Sequence, residues 1–86
     1  MNNIVRLRDG VEWRHVEDEI LALDTGSSTF FNTNKTGAFL WSELSKGRTR
    51  AELADTLVLK YDIEPAAARR DIDAFLDSLA RHGLLK

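Results

Sequence analysis

The chain has 86 residues, 43% of them hydrophobic and 30% charged, with a formal net charge of −2 and a pI near 5.6. That length fits one domain spanning residues 1–86, with room for one compact core and little left for a deep enclosed active site, since a domain this small buries roughly 60–65% of its unfolded surface. The composition excludes disorder, which needs few apolar residues and a strong net charge. The absence of cysteine removes disulfides, thiolate metal sites and cysteine nucleophiles together. A mildly acidic balance speaks against a general nucleic-acid binder, because phosphate contacts dominate such affinity. No secretory apolar core opens the chain, as Arg6, Arg8 and Asp9 interrupt it, and no apolar run reaches the ~20 residues a bilayer span needs. The expectation is a cytoplasmic protein that does not engage a membrane.

The first third of the chain alternates on a short period. Val11, Trp13 and His15 alternate with Glu12 and Arg14, and Val16 to Glu19 reads as a polar turn. Ile20 to Leu23 forms a second strand, closed by Asp24-Thr25-Gly26-Ser27. Ser28 to Asn32, carrying Phe30 and Phe31, forms a third. Short strands joined by polar turns predict an antiparallel meander, to which Ile4 to Leu7 could add an edge. Three short strands need a cover on one face.

Helical spacing supplies that cover. A first helix runs from about Asn34 to Ser45, capped by Asn32 or Asn34. Gly37, Leu40, Trp41 and Leu44 fall on one face, and Gly47 stops it. Thr49-Arg50-Ala51-Glu52 is a capping box that opens a second helix, with an apolar stripe of Leu53, Ala54, Leu57, Val58 and Tyr61. Pro65 suits the first position of a third, whose stripe is Ala68, Ile72, Phe75, Leu76 and Leu79. It ends at Gly83, where Leu84 can fold back on Leu79. Strands followed by helices predict an α+β fold, a three-stranded antiparallel sheet followed by a three-helix bundle on one face. Both tryptophans read as core. The third strand would be an edge without charge or proline, an unblunted template for another strand. Phe30 and Phe31 point to opposite faces. Phe31 is assigned to the core, and Phe30 either packs or serves binding.

In this order and in so short a chain, Val11-Glu12-Trp13, Leu21-Ala22-Leu23-Asp24, Phe31-Asn32, Thr36-Gly37, Leu40-Trp41, Gly47-Arg48-Thr49, Leu53 to Leu57, Tyr61, Pro65, Asp71-Ile72, Phe75-Leu76, Leu79 and Gly83-Leu84-Leu85 resemble the PqqD-like family, also called RiPP recognition elements. The chain is most similar to the stand-alone leader-binding subunits of lasso-peptide biosynthesis. The resemblance implies a winged-helix-like fold without catalytic activity or cofactor, which binds the leader of a ribosomally made precursor peptide as an extra strand beside the third strand. It implies a partner leader peptidase of the transglutaminase-like type, support for the later cyclase, and leaders that carry a Tyr and a Pro. Two departures separate the chain from the quinone-cofactor accessory proteins: Ser45-Lys46-Gly47 stands where those have a Cys-Asp-Gly-like turn, and Asp24-Thr25-Gly26 where they have a Pro-Glu-Gly-like one.

Applied to these residues, Ser28, Thr29, Phe30, Phe31 and Asn32 would supply the backbone ladder. Helix phase puts Arg69, Ile72, Asp73 and Leu76 on one face as the opposite wall, with Ile72 and Leu76 as an apolar floor and Arg69 and Asp73 beside it. Other chemistries find little support. His15 and His82 have no second ligand at metal spacing, and no nucleophile motif or paired carboxylate stands out. A winged-helix DNA reader would need base-contacting side chains at the start of the third helix. Pro65, Ala66 and Ala67 offer none, and Asp71, Asp73 and Asp77 would repel phosphates.

Overall fold

The computed structural model describes residues 4–24, 26 and 29–86. Strands β1 (Ile4–Val5), β2 (Val11–Val16), β3 (Glu19–Asp24) and β4 (Thr29–Asn32) precede helix α1 (Lys35–Ser45). A short β5 (Arg48–Thr49) leads into α2 (Arg50–Tyr61) and α3 (Pro65–Arg81). The main sheet is antiparallel in the order β2-β3-β4, the expected meander followed by three helices.

The register Val16↔Glu19 leaves a two-residue hairpin, Glu17-Asp18, tighter than the four-residue turn expected. Glu17 takes φ 58° to make that reversal, the left-handed region that hairpin turns use to match strand twist. The second expected turn lies partly outside the described residues, as does Ser28 of the third strand. The N-terminal segment does not border the main sheet. β1 pairs antiparallel with β5, and Leu7 bridges to Leu85. Its partners lie far along the chain, so no local pattern could reveal them.

Local signals set the helix ends. The Asn34 side chain, rather than that of Asn32, accepts from the Gly37 amide at 2.8 Å. At α2 the Thr49 hydroxyl accepts from the Glu52 amide (3.1 Å), and the Glu52 carboxylate accepts from the Thr49 amide (2.9 Å). Pro65 occupies the first turn of α3. At its far end Gly83 takes φ 69°, and the amides of Gly83 and Leu84 donate to Ala80 and Leu79, each at 3.0 Å. This double bond with a left-handed glycine satisfies the last carbonyls and buries Leu84.

The core lies between the sheet and the helices. Ile20 and Ala22 from β3 meet Leu40, Trp41 and Leu44 from α1, Leu53 and Leu57 from α2, and Ala68, Ile72, Leu76 and Leu79 from α3. Two expected core residues sit further out. Trp13 is 36% exposed because β2 is a sheet edge, and its ring meets buried Trp41 edge-on at 6.1 Å. Tyr61, in the last turn of α2, stays exposed against Phe39.

Candidate functional site

Strand β4 pairs with β3 through Leu21↔Asn32, Ala22↔Phe31, Leu23↔Phe30 and Asp24↔Thr29. Among the described residues no strand lies on its other side. Which backbone groups face that open edge follows from the ladder. The Thr33 amide donates to the Ile20 carbonyl at 3.0 Å, and the Ile20 amide donates to the Thr33 hydroxyl at 3.2 Å. Residues 20 and 33 therefore stand as a hydrogen-bonded pair. Hydrogen-bonded and non-bonded pairs alternate in antiparallel ladders, so 22/31 and 24/29 are bonded and 21/32 and 23/30 are not. The amides and carbonyls of Phe30 and Asn32 accordingly point away from β3, toward the open edge.

Side chains alternate as well. Phe31 turns inward, half-buried, with its ring stacked on Trp41 at 6.0 Å and against the His82 ring at 4.9 Å. Phe30 turns outward and is 66% exposed. The Phe31–His82 contact brings the end of α3 against β4. His82 is held there by a 2.8 Å hydrogen bond between its Nδ1 and the Ser78 carbonyl. A carbonyl only accepts, so Nδ1 carries the proton. On a helical wheel His82 shares its flank with Phe75 and Ser78, both half-buried. The C-terminal end of this flank meets β4 at the Phe31–His82 contact.

The residues singled out on α3 from sequence lie elsewhere on the helix. Ile72 and Leu76 are fully buried beneath it. Arg69 and Asp73 are exposed on the flank facing α2, where Asp73 pairs with Arg50 at 2.8 Å. Together with Ala51 and Ile72 these three line a shallow cavity of about 220 Å³ between α2 and α3. The structure thus groups Arg69, Ile72 and Asp73 with α2, and sets His82 against β4, with Phe75 and Ser78 on the same side of the helix as His82. A sequence signal for the second set existed. Of the two flanks beside the buried stripe, that of Ala67, Phe75 and Ser78 is the less charged, with Asp71 among them against Arg69, Asp73 and Asp77 on the other. Asn32 and Phe30 lie on the exposed edge as expected. Ser28 is outside the described residues.

The Glu52 carboxylate, at the start of α2, is the acid whose ionisation the fold visibly tunes. The Thr49 amide donating to its carboxylate holds it below the usual carboxylate range. That is a helix-cap effect, and it adds no acid–base chemistry to the β4 edge.

The model of the family described as coenzyme PQQ synthesis protein D (PqqD) matches residues 19–85. The chain belongs to the PqqD family. Three solved structures resemble it over nearly their whole length. TbiB1, in complex with the TbiA(beta) leader peptide, is 30% identical, with a TM-score of 0.90 over 94% of this chain and 94% of that one. A lasso peptide synthetase B1 complexed with the leader peptide is 29% identical, with a TM-score of 0.85 over 95% of this chain and 96% of that one. The PqqD truncation of Methylobacterium extorquens PqqCD, a functional, stand-alone RiPP recognition element, is 25% identical, with a TM-score of 0.77 over 96% of this chain and 88% of that one. No curated protein sequence matches.

Proposed function

We propose that residues 1–86 form one recognition module that binds the leader of a ribosomally synthesised precursor peptide in lasso-peptide biosynthesis. The leader adds as a strand beside β4. The module is a binding protein rather than an enzyme. The observation that carries the reading is the open β4 edge on a chain so closely superimposable on two chains solved with leader peptides. Strand addition draws affinity from main-chain hydrogen bonds and specificity from pockets for alternate side chains. Outward amides and carbonyls of Phe30 and Asn32 supply the ladder. Inward-facing leader side chains meet Phe31 and the Phe75–Ser78–His82 flank of α3.

The leader is then handed to a leader peptidase of the transglutaminase-like type and supports the cyclase that follows, in the cytoplasm. No helix among the described residues is long and apolar enough to cross a membrane. Identity to the quinone-cofactor relative is lower than to the leader-bound chains, which favours the lasso pathway within the family.

The test is an amide NMR titration of labelled protein with a synthetic leader peptide of the precursor encoded beside it. Saturable shifts at Thr29 to Thr33 and at Phe75 to His82 are expected. Shifts confined to Arg50, Arg69 and Asp73 would move the site to the α2–α3 cavity. No shifts at about 1 mM peptide, where even weak affinity registers, would remove leader binding.

A further inference from the structure

We propose that Phe30 reads the leader on the outer face of the sheet, away from the helices, and that it selects a large apolar residue there. The inference rests on the strand-addition reading and deepens it. β4 offers the incoming strand two outward-facing side chains, Phe30 and Asn32. Because the Phe30 amide and carbonyl face the open edge, a strand bound there antiparallel to β4 places one residue directly opposite Phe30, at a Cα separation of about 5.5 Å. That residue's side chain falls on the same outer face as the Phe30 ring.

The face beneath is apolar along β3 and charged along β2, where Glu12 and Arg14 stand across from Leu23 and Leu21. Leu23 is the cross-strand partner of Phe30, and Leu21 lies two residues further along β3, both only half-buried. With Phe30 and the Glu12–Arg14 stretch of β2 they border a shallow cavity of about 330 Å³, the Trp13 ring itself lying on the other face against Trp41. An aliphatic or aromatic leader residue opposite Phe30 would extend this cluster over the edge and take the ring out of water, whereas a charged one would leave it exposed. The next outward leader position faces Asn32, where a polar residue fits. The outer face therefore imposes an apolar-then-polar pattern at a spacing of two. This selection adds to whatever the inner groove reads, because the two faces receive alternate leader residues.

The test measures leader affinity by calorimetry with the synthetic leader peptide of the neighbouring precursor. It uses wild type, Phe30→Ala, Leu59→Ala and Asn32→Pro. Leu59 is an 85% exposed leucine on α2, so Leu59→Ala controls for loss of any surface apolar group. Phe30→Ala should weaken binding about five- to tenfold, with Leu59→Ala unchanged. A peptide with Asp opposite Phe30, at the position found from cross-strand NOEs, should lose as much against wild type and little more against Phe30→Ala. Equal affinity of Phe30→Ala and wild type, with Asn32→Pro still abolishing binding, would overturn the outer-face reading and leave strand addition standing. Failure of wild type to bind would remove both. A free-state dimer dispersed by Phe30→Ala without change in leader affinity would overturn the proposal and give the face to a second copy of the chain.

Discussion

Single residues carry more of this fold than their size suggests. Gly37 sits in the first turn of α1, where alanine would ordinarily help by roughly 1 kcal/mol. Here a Cβ would lie 2.9 Å from the Thr33 Cβ. Thr33 cannot easily yield, because its amide and hydroxyl both bond Ile20. Gly37→Ala is therefore expected to lower stability by about 1–3 kcal/mol, read as a reduced urea midpoint. A rise would mean that the junction is looser than its geometry. The cap at α2 titrates. Thr49 holds Glu52 ionised below its ordinary range, so the folded value is the lower one. The contribution is present above the unfolded value and fades as pH falls through the folded one. Thr49→Ala should cost about 1 kcal/mol at neutral pH. Glu52→Gln should flatten the acid limb of the stability curve, and an unchanged limb in Glu52→Gln would show that other carboxylates set it.

At the scale of elements, β4 has two edges with different duties, and proline can separate them. Proline removes an amide donor and is tolerated in strands where that amide faces outward. At Asn32 the lost amide faces the open edge, so Asn32→Pro should keep the fold and lose leader binding by more than tenfold. At Phe31 the lost amide bonds β3, so Phe31→Pro should weaken the β3–β4 ladder itself, visible as faster exchange of the Ala22 amide, which faces β4, with the Leu21 and Leu23 amides, which face β2, less affected. If Asn32→Pro binds normally, the ladder phase assigned to β4 is wrong. The elements themselves were legible because their signals are local: Asn34, the Thr49–Glu52 box, Pro65 and Gly83 each act within a turn. The meander was legible from alternation. The turn of α3 relative to β4 was not. The sequence shows which residues are apolar, and Ala68, Ile72, Leu76 and Leu79 are indeed buried. Which flank of that stripe meets α2 and which meets β4 depends on the packing of three elements at once. Arg69 and Asp73 lie on one side of the buried stripe and Phe75 and Ser78 on the other, and periodicity alone treats the two flanks alike. Trp13 failed for a related reason: a large ring on an alternating strand reads as core, but β2 is an edge strand with cover on one side only.

Across the whole molecule the longest-range contacts join the two ends of the described chain. β1 lies on β5, and beyond it the Arg8 amide donates to the Leu84 carbonyl (2.8 Å) and the Lys86 amide to the Arg6 carbonyl (2.9 Å). Arg8 also pairs with Asp24 at the end of β3. The remaining contacts are mostly between neighbours in sequence, as in the β2–β3 hairpin and the α2–α3 pair. Local contacts form cheaply, whereas closing nearly the whole chain into one loop carries the largest entropy cost. The end-to-end clasp should therefore close late in folding and open first. Native-state exchange is expected to give the Arg8 and Lys86 amides opening free energies well below those of Leu53 or Leu76, and Leu7→Ala should lower them further while leaving the core amides unchanged. A single global opening energy for all of these amides would show instead that the clasp folds with the core. Under mechanical load the same geometry acts as a zipper: tension applied at the two ends meets its hydrogen bonds one pair at a time, so the clasp should part at low force while the sheet and helices behind it stay folded.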